Sequence, residues 1–300
     1  MKTILLSAML MFLIVVQTSS GELVGYWDFE GEPKSLANYG DRSGNGYDMT
    51  NNDGTGFIVG IPFVGSYSAR NRADKKKPGV PCADAPAISA IETAVTITGW
   101  FNGGDTNDNT EMNPMFGLTR YDGGKPTLGG GTRLSDGTFS ARLSVGCNFS
   151  GNPTGYESFD ASLGRLVAQD EWLFCALRFD NGAVSVYVGS PSDANLVSSA
   201  GTLGQTALYN PVTCPYEPQD PDPRQFGPYY VSGFDFSYTS GEIVEADELS
   251  IFNSALTDNQ IEALFDGGKL GQNVLEIIPE PATLGLVFVG CVGGLTHRRR

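Results

Sequence analysis

Histidine is almost missing from this 300-residue chain, and the one present is His297, at the far C-terminal end. That absence removes Ser-His and Cys-His nucleophilic pairs from the body of the protein, together with histidine-bearing zinc sites. Cysteine is scarce too: five residues and no Cys-x-x-Cys spacing, so a cysteine zinc cage is excluded. Basic residues are outnumbered, 19 Lys and Arg against 34 Asp and Glu, for a formal charge of −15. They form no stripe, and so acidic a surface repels nucleic acid and anionic lipid, which excludes a nucleic-acid partner. No glycine-rich loop leads into a helix as a phosphate cradle requires. Helical periodicity is absent from most of the chain.

What the chain has is turns. Asn45-Gly46, Asp53-Gly54, Asp122-Gly123, Asp136-Gly137 and Asn181-Gly182 all fit hairpin turns, whose central residues need positive φ. Between them lie short segments rich in β-branched and aromatic residues, at 22–29, 56–61, 94–101, 138–147, 171–180, 183–188, 229–236 and 243–253. Many short strands of this kind predict an all-β sandwich. One helix is expected near the end. Thr257 and Gln260 have the spacing of a capping box, Ile261, Leu264 and Phe265 share a face, and Gly267-Gly268 stops it. That face is expected on the sandwich edge. Long loops are expected at 71–90, 102–113, 150–168 and 211–228.

The two ends carry addresses. Lys2, an apolar stretch over 4–16 and Gln17-Thr18-Ser19-Ser20 read as a signal helix cleaved near Gly21. At the other end Pro279-Glu280-Pro281 precedes an uncharged, mostly apolar run over 282–295, closed by Arg298, Arg299 and Arg300. At ~1.5 Å per residue that run makes a helix of roughly 21 Å. A hydrocarbon core is about 30 Å thick, so it suits a temporary anchor with its basic end inside. The arrangement resembles the PEP-CTERM sorting signal of bacteria that make extracellular polysaccharide. The resemblance implies an exosortase-type membrane protease as partner and a passage from inner membrane to cell surface or matrix. Removing both ends takes away four basic residues and one acidic residue, so the exported part is more acidic than the whole.

Cys291 lies in the tail, and four cysteines remain in a compartment where disulfides persist. Phe139, Ala141, Leu143, Val145 and Cys147 alternate on one face, as do Leu173, Cys175, Leu177 and Phe179. Two inward cysteines permit a Cys147–Cys175 bond, leaving Cys82 and Cys214, each beside a proline in a loop-like stretch, to pair. The alternative is that Cys147 and Cys175 are small buried hydrophobes.

Gly25-Tyr26-Trp27-Asp28-Phe29-Glu30 followed by Asp41-Arg42-Ser43-Gly44-Asn45-Gly46 resembles the opening of LamG-like domains of the concanavalin A-like lectin/glucanase group. Thr96-Ile97-Thr98-Gly99-Trp100, the stretch from Glu171-Trp172 to Val188, and Asp247-Glu248-Leu249-Ser250-Ile251-Phe252-Asn253 are similar to later motifs of that group, in order. The resemblance covers about residues 22–267. It implies a jelly-roll β-sandwich over 21–268 with one short C-terminal helix; residues 269–278 are expected as a short linker to the sorting segment, whose membrane-sorting helix lies within 279–300. Because this fold hosts lectins, hydrolases, adhesins and spacers, it does not assign an activity.

Three kinds of site can be sought. Glycoside hydrolysis needs two carboxylates about 5.5 Å or more apart, and Glu245 and Asp247 share a strand face. Laminarinase-like enzymes carry a third acid further along, where this chain has Leu249 and Ser250, so a non-catalytic domain is expected. Calcium would suit Asp105, Asn107, Asn109 and Glu111, which alternate oxygen-bearing side chains, although a solvated polar loop would read the same way. The resemblance implies a second calcium set, Asp28, Asp41 and Asp247, with turn capping as the alternative role of Asp41. Sugar binding needs exposed rings, for which Tyr121, Tyr156, Phe159, Tyr216, Tyr229 and Tyr230 lie in or beside loops. Trp27, Trp100 and Trp172 sit in strand patterns and are expected in the core. The resulting expectation is an exported matrix or surface protein with a non-catalytic module for extracellular polysaccharide. A glycan hydrolase or lyase and a purely structural matrix protein are the alternatives.

Overall fold

A computed structural model of the chain describes residues 21–31, 40–51, 58–70, 81–84, 91–103, 113–119, 126–133, 137–145, 155–168, 170–204, 206–208, 230–232 and 244–278. The signal segment and the sorting segment lie outside the described residues. Two antiparallel sheets pack face to face. The first contains β1 (Leu23–Trp27), β3 (Ile58–Gly60), β4 (Ser68–Arg70), β6 (Ala94–Gly103), β11 (Trp172–Asp180), β12 (Ala183–Gly189), β13 (Val197–Thr202) and β15 (Val244–Phe252). The second contains β2 (Met49–Asn51), β5 (Pro81–Asp84), β7 (Asn113–Thr119), β8 (Pro126–Arg133), β9 (Thr138–Val145), β10 (Gly155–Ser162) and β14 (Tyr230–Ser232). Their orders are β13-β12-β11-β6-β15-β4-β3, with β1 also on β15, and β10-β9-β8-β7-β14-β5-β2.

Every segment predicted as a strand contains one. The additional strands are short, or poor in β-branched residues, such as the glycine run of β8 (PTLGGGTR) and the polar β10 (GYESFDAS). β5 and β10 form inside stretches expected to be loops, because sheet partners supply what local propensity lacks. The Asn181-Gly182 hairpin holds: Asn181 has φ 47 and Gly182 φ 94, the pair of positive angles that a tight turn between β11 and β12 demands. Asn45-Gly46 differs. It joins no hairpin, since β1 and β2 belong to different sheets.

β11, inside the first sheet, is buried on both sides, which is why its sequence reads as one apolar run. Leu173, Cys175, Leu177 and Phe179 enter the core between the sheets with Trp27, Phe101, Phe139 and Ile251. Trp172, Phe174 and Ala176 face the opposite way, into a second core with Tyr26, Trp100 and Phe252. That second core is covered by α1 (Asp258–Lys269), through Ile261, Leu264 and Phe265. The helix therefore lies on the outer face of the sheet and not on the sandwich edge. Its expected capping box is present, with Thr257 and Gln260 each accepting or supplying its share.

Two corrections follow from the packing. Gly267 and Gly268 sit inside α1, which continues to Lys269, and they serve close approach. A Cβ on Gly268 would lie 2.5 Å from Trp100 Nε1, so the helix can ride over that indole only with glycine there. The stretch 269–278 is no linker. Asn273 and Glu276 form a second capping box for α2 (Val274–Ile277), and Val274 and Ile278 are buried against the domain. Glu22 and Asn253, 231 positions apart, share three hydrogen bonds: Glu22 N–H to Oδ1 at 3.1 Å, Asn253 Nδ2 to Oε2 at 2.8 Å and the Asn253 N–H to the Glu22 carbonyl at 3.0 Å. The start of β1 and the 274–278 segment are thus both tied to the first sheet.

Cys175 carries a free, buried thiol, which corrects the expected bond to Cys147. Its position in β11 points it among core side chains, where it acts as a small hydrophobe and burial pushes its pKa up. Cys147 and Cys214 lie outside the described residues, and Cys82 lies in β5 rather than in a loop.

Candidate functional site

The acids proposed for hydrolysis lie where β15 changes partner. Its first half pairs with β4 through Glu245 and Ala246, and its second half with β1 from Leu249 to Phe252. Opposite β6 the register shifts between Asp247 and Ser250, and Glu248 adopts φ 54. Such an irregularity turns consecutive side chains away from strict alternation. Asp247 and Glu248 consequently each clamp a neighbouring segment.

Asp247 is fully buried. Its Oδ2 accepts the N–H groups of Phe63 and Val64 at 3.0 and 2.9 Å, and its Oδ1 that of Glu248 at 3.0 Å. The loop so held lays Phe63 on Trp100, ring centroids 3.9 Å apart. Burial raises the Asp247 pKa, the neighbouring Glu248 adds to the rise, and the three N–H groups oppose it. Glu248 Oε2 accepts from Tyr26 Oη at 2.7 Å and from the Val274 N–H at 3.0 Å, so it fastens α2 to the sheet. Burial, the largest cause, pushes Glu248 up to about 7, and Tyr26 rises for the same reason. Glu245 is also buried and accepts from the Ile61 N–H at 3.3 Å and Asn102 Nδ2 at 3.4 Å. General acid–base work on a glycosidic bond needs carboxyl groups that reach the substrate. These three are buried against the protein's own backbone and side chains.

The position of Glu248 sets a pH dependence. Its pKa is higher folded than its ordinary 4.5, so folding takes up a proton between those values. The stability it contributes is complete below about 4.5 and is lost as pH rises through about 7. Melting of residues 21–278 from pH 4.5 to 8 should show the wild type losing ground to Glu248→Gln across that window. Parallel curves would mean that the carboxyl titrates normally.

The calcium set implied by the resemblance does not come together. Asp41 Oδ1 accepts the N–H groups of Tyr26 and Ser43, at 3.0 and 2.8 Å, while Oδ2 accepts Ser43 Oγ and the Tyr47 N–H, at 2.8 and 3.0 Å. Four donors occupy both oxygens, which is the turn-capping role. Asp28 pairs with Arg42 at 3.1 Å and accepts the Glu30 N–H. Among the described residues, no three His, Cys, Asp or Glu side chains converge as a metal would require. The oxygens of Asp41 and Asp247 are instead held by the protein's own N–H and O–H donors. Asp105, Asn107, Asn109 and Glu111 lie outside the described residues.

Of the proposed sugar-stacking rings, Tyr121, Tyr216 and Tyr229 also lie outside the described residues. Tyr156 and Tyr230 are on β10 and β14, strands of the second sheet rather than loops. Phe159 packs against the inter-sheet core and over Gly201, where a Cβ would lie 2.2 Å from the ring. The three tryptophans are buried as expected.

A feature absent from the sequence reading is a cleft of about 330 Å³ at the end of the first sheet where β1 and β6 begin and β15 ends. Glu22, Asn45, Tyr47, Ile91, Glu92 and Asn253 line it. The wall is built from segments far apart in the chain, and no linear motif marks it. The Asn-Gly dipeptide at 45–46 is a local sequence signal of the turn that forms part of this wall.

No family model matches the chain, and no curated protein sequence matches it. Solved structures do. The binding domain of Paraclostridial Mosquitocidal Protein 1 matches with TM-score 0.55 at 13% identity, covering 82% of this chain and 52% of that one. The botulinum neurotoxin serotype G binding domain matches with TM-score 0.54 at 12% identity, covering 81% and 50%. The receptor binding domain of a botulinum neurotoxin C/D mosaic serotype gives 0.52 at 12%, covering 82% and 51%. This chain spans about half the length of those structures. The likeness shows the fold alone: a mainly-β antiparallel sandwich.

Proposed function

We propose that this chain is an exported, non-catalytic carbohydrate-binding module that associates with extracellular polysaccharide. The observation that carries this reading is the arrangement on β15. Glu245 and Asp247 are the candidate acids of the hydrolase reading, and here they hold backbone N–H groups of the 61–64 loop, while the neighbouring Glu248 holds a tyrosine hydroxyl and the Val274 N–H. The fold is shared with proteins described as binding domains, which supports a binding role without assigning the ligand. The apolar run over 282–295, flanked by Pro279-Glu280-Pro281 and the terminal arginines, supports delivery by an exosortase-type protease through temporary membrane association. Calcium enters this reading through the 105–111 segment, whose oxygen-bearing side chains suit a hard cation.

Residues 21–278 applied to insoluble and immobilised polysaccharides should be retained without releasing reducing ends, and Glu245→Gln should be retained equally. Sugar release abolished by that substitution would establish the hydrolase reading instead. Failure of the folded protein to bind any polysaccharide would favour a structural matrix protein. Repeating the retention with chelator tests the calcium contribution separately.

A further inference from the structure

We propose that hydrolysis of the Ser20–Gly21 bond by a signal peptidase makes the α-ammonium of Gly21 the hydrogen-bond partner of Ser254 Oγ, so that processing of the chain fastens the start of β1. The proposal rests on the export reading above and gives its first step a structural consequence.

Two independent observations meet at this bond. In the sequence, Thr18-Ser19-Ser20 supplies the small residues that a signal peptidase needs on the departing side. In the structure, the contact between β1 and β15 extends to the very next residue. Leu23 is opposite Phe252, Glu22 is bonded to Asn253, and the same antiparallel register puts Gly21 opposite Ser254. Gly21 is buried there. A Cβ on it would run into Ser254 Oγ and lie 2.9 Å from Ser254 Cβ, so the position requires glycine. The Gly21 nitrogen, one bond from the same Cα, sits beside that hydroxyl.

Ser254 Oγ is buried and has no hydrogen-bond partner among the described residues. Its backbone is fixed, because Thr96 Oγ1 donates to the Ser254 carbonyl at 2.8 Å and accepts the Leu256 N–H at 2.9 Å. While Ser20 is attached, the Gly21 nitrogen is an amide with one hydrogen in a fixed direction, and that hydrogen does not reach the hydroxyl. Hydrolysis adds water across the bond, leaving a carboxylate on Ser20 and an amine on Gly21 that takes up a proton. The resulting ammonium carries three hydrogens about a freely rotating bond, and one of them turns to Ser254 Oγ. A hydrogen bond from a charged donor is roughly twice as strong as a neutral one. Among the described strands β1 pairs with β15 alone, so this tie closes the open end of its ladder.

The test starts with the full-length chain exported from a bacterial host, whose N-terminal peptide, read by mass spectrometry, should begin at Gly21. Chains 21–300 and 20–300, each with and without Ser254→Ala, are then melted in the same detergent buffer. Ser254→Ala should lower the Tm by roughly 3–6 °C in the chain that starts at Gly21, and by less than about 1 °C where Ser20 remains. An equal loss in both chains, or no loss in either, would overturn the docking. An N-terminus at another residue would overturn the processing step, and a retained 1–20 segment would remove the export reading with it. Polysaccharide retention of the exported chain is read separately, and its failure with the docking intact would remove the binding role alone.

Discussion

Asp247→Ala should destabilise residues 21–278 by at least about 3 kcal/mol, seen as a lowered urea midpoint. The carboxylate holds three N–H groups, from Phe63, Val64 and Glu248, in a position with no solvent exposure. Each buried donor left unpaired costs about 1–3 kcal/mol. A domain has only ~5–15 kcal/mol in total, so the loss takes a large share of its stability. The loss should spread beyond the strand, because the same loop carries Phe63 onto Trp100 and toward Trp172. Asp247→Asn keeps an acceptor oxygen and should lose markedly less. A change within about 0.5 kcal/mol for the alanine variant, the level of an ordinary surface substitution, would show that the loop is held by something else.

Trp100→Ala should cost about 3–5 kcal/mol, the range for deleting a buried large aromatic. Trp100 stacks with Phe63, meets Phe174 edge-on with centroids 5.3 Å apart, and lies under Phe265 at 5.8 Å. Removing it should release α1 first, read as hydrogen-exchange protection lost over 258–269 before the strands of the sheet. Gly268→Ala should destabilise as well, since its methyl would press on the indole. The two changes should not add. Once Trp100 is gone the methyl has room, and alanine gains roughly 1 kcal/mol over glycine in a helix. A double variant as unstable as the sum of the singles would mean that Gly268 is needed for a reason other than that contact.

How much of this was legible depended on whether a residue's role is local. The Asn181-Gly182 turn and the Thr257–Gln260 cap each bring together residues within three positions, so composition and spacing reveal them. The two-sided burial of β11 was legible as an unbroken apolar run, though not what covers its outer face. The acids were misleading for the opposite reason. Glu245 and Asp247 on one strand face look like a catalytic pair, yet their partners, the N–H groups of Ile61, Phe63 and Val64, lie about 184 positions away and carry no side-chain signature. Asp28 and Asp41 likewise look like ligands until the backbone of the 41–47 turn is seen to fill Asp41. Gly267-Gly268 has the composition of a helix stop and the function of a contact surface.

The sequence by itself determined that this is an acidic, strand-rich chain whose single histidine is His297, and that a capped helix follows the segment at 243–253. Those properties follow from composition, charge and short-range periodicity, which need no knowledge of where distant segments meet. Tertiary structure alone decided that the β15 acids are clamps, that 269–278 belongs to the domain, that Cys175 is a free core thiol, and that a cleft opens among Glu22, Tyr47, Ile91 and Asn253. Each of these arises from contacts between backbone and side chains far apart in sequence, where burial, and not residue type, sets what a group does.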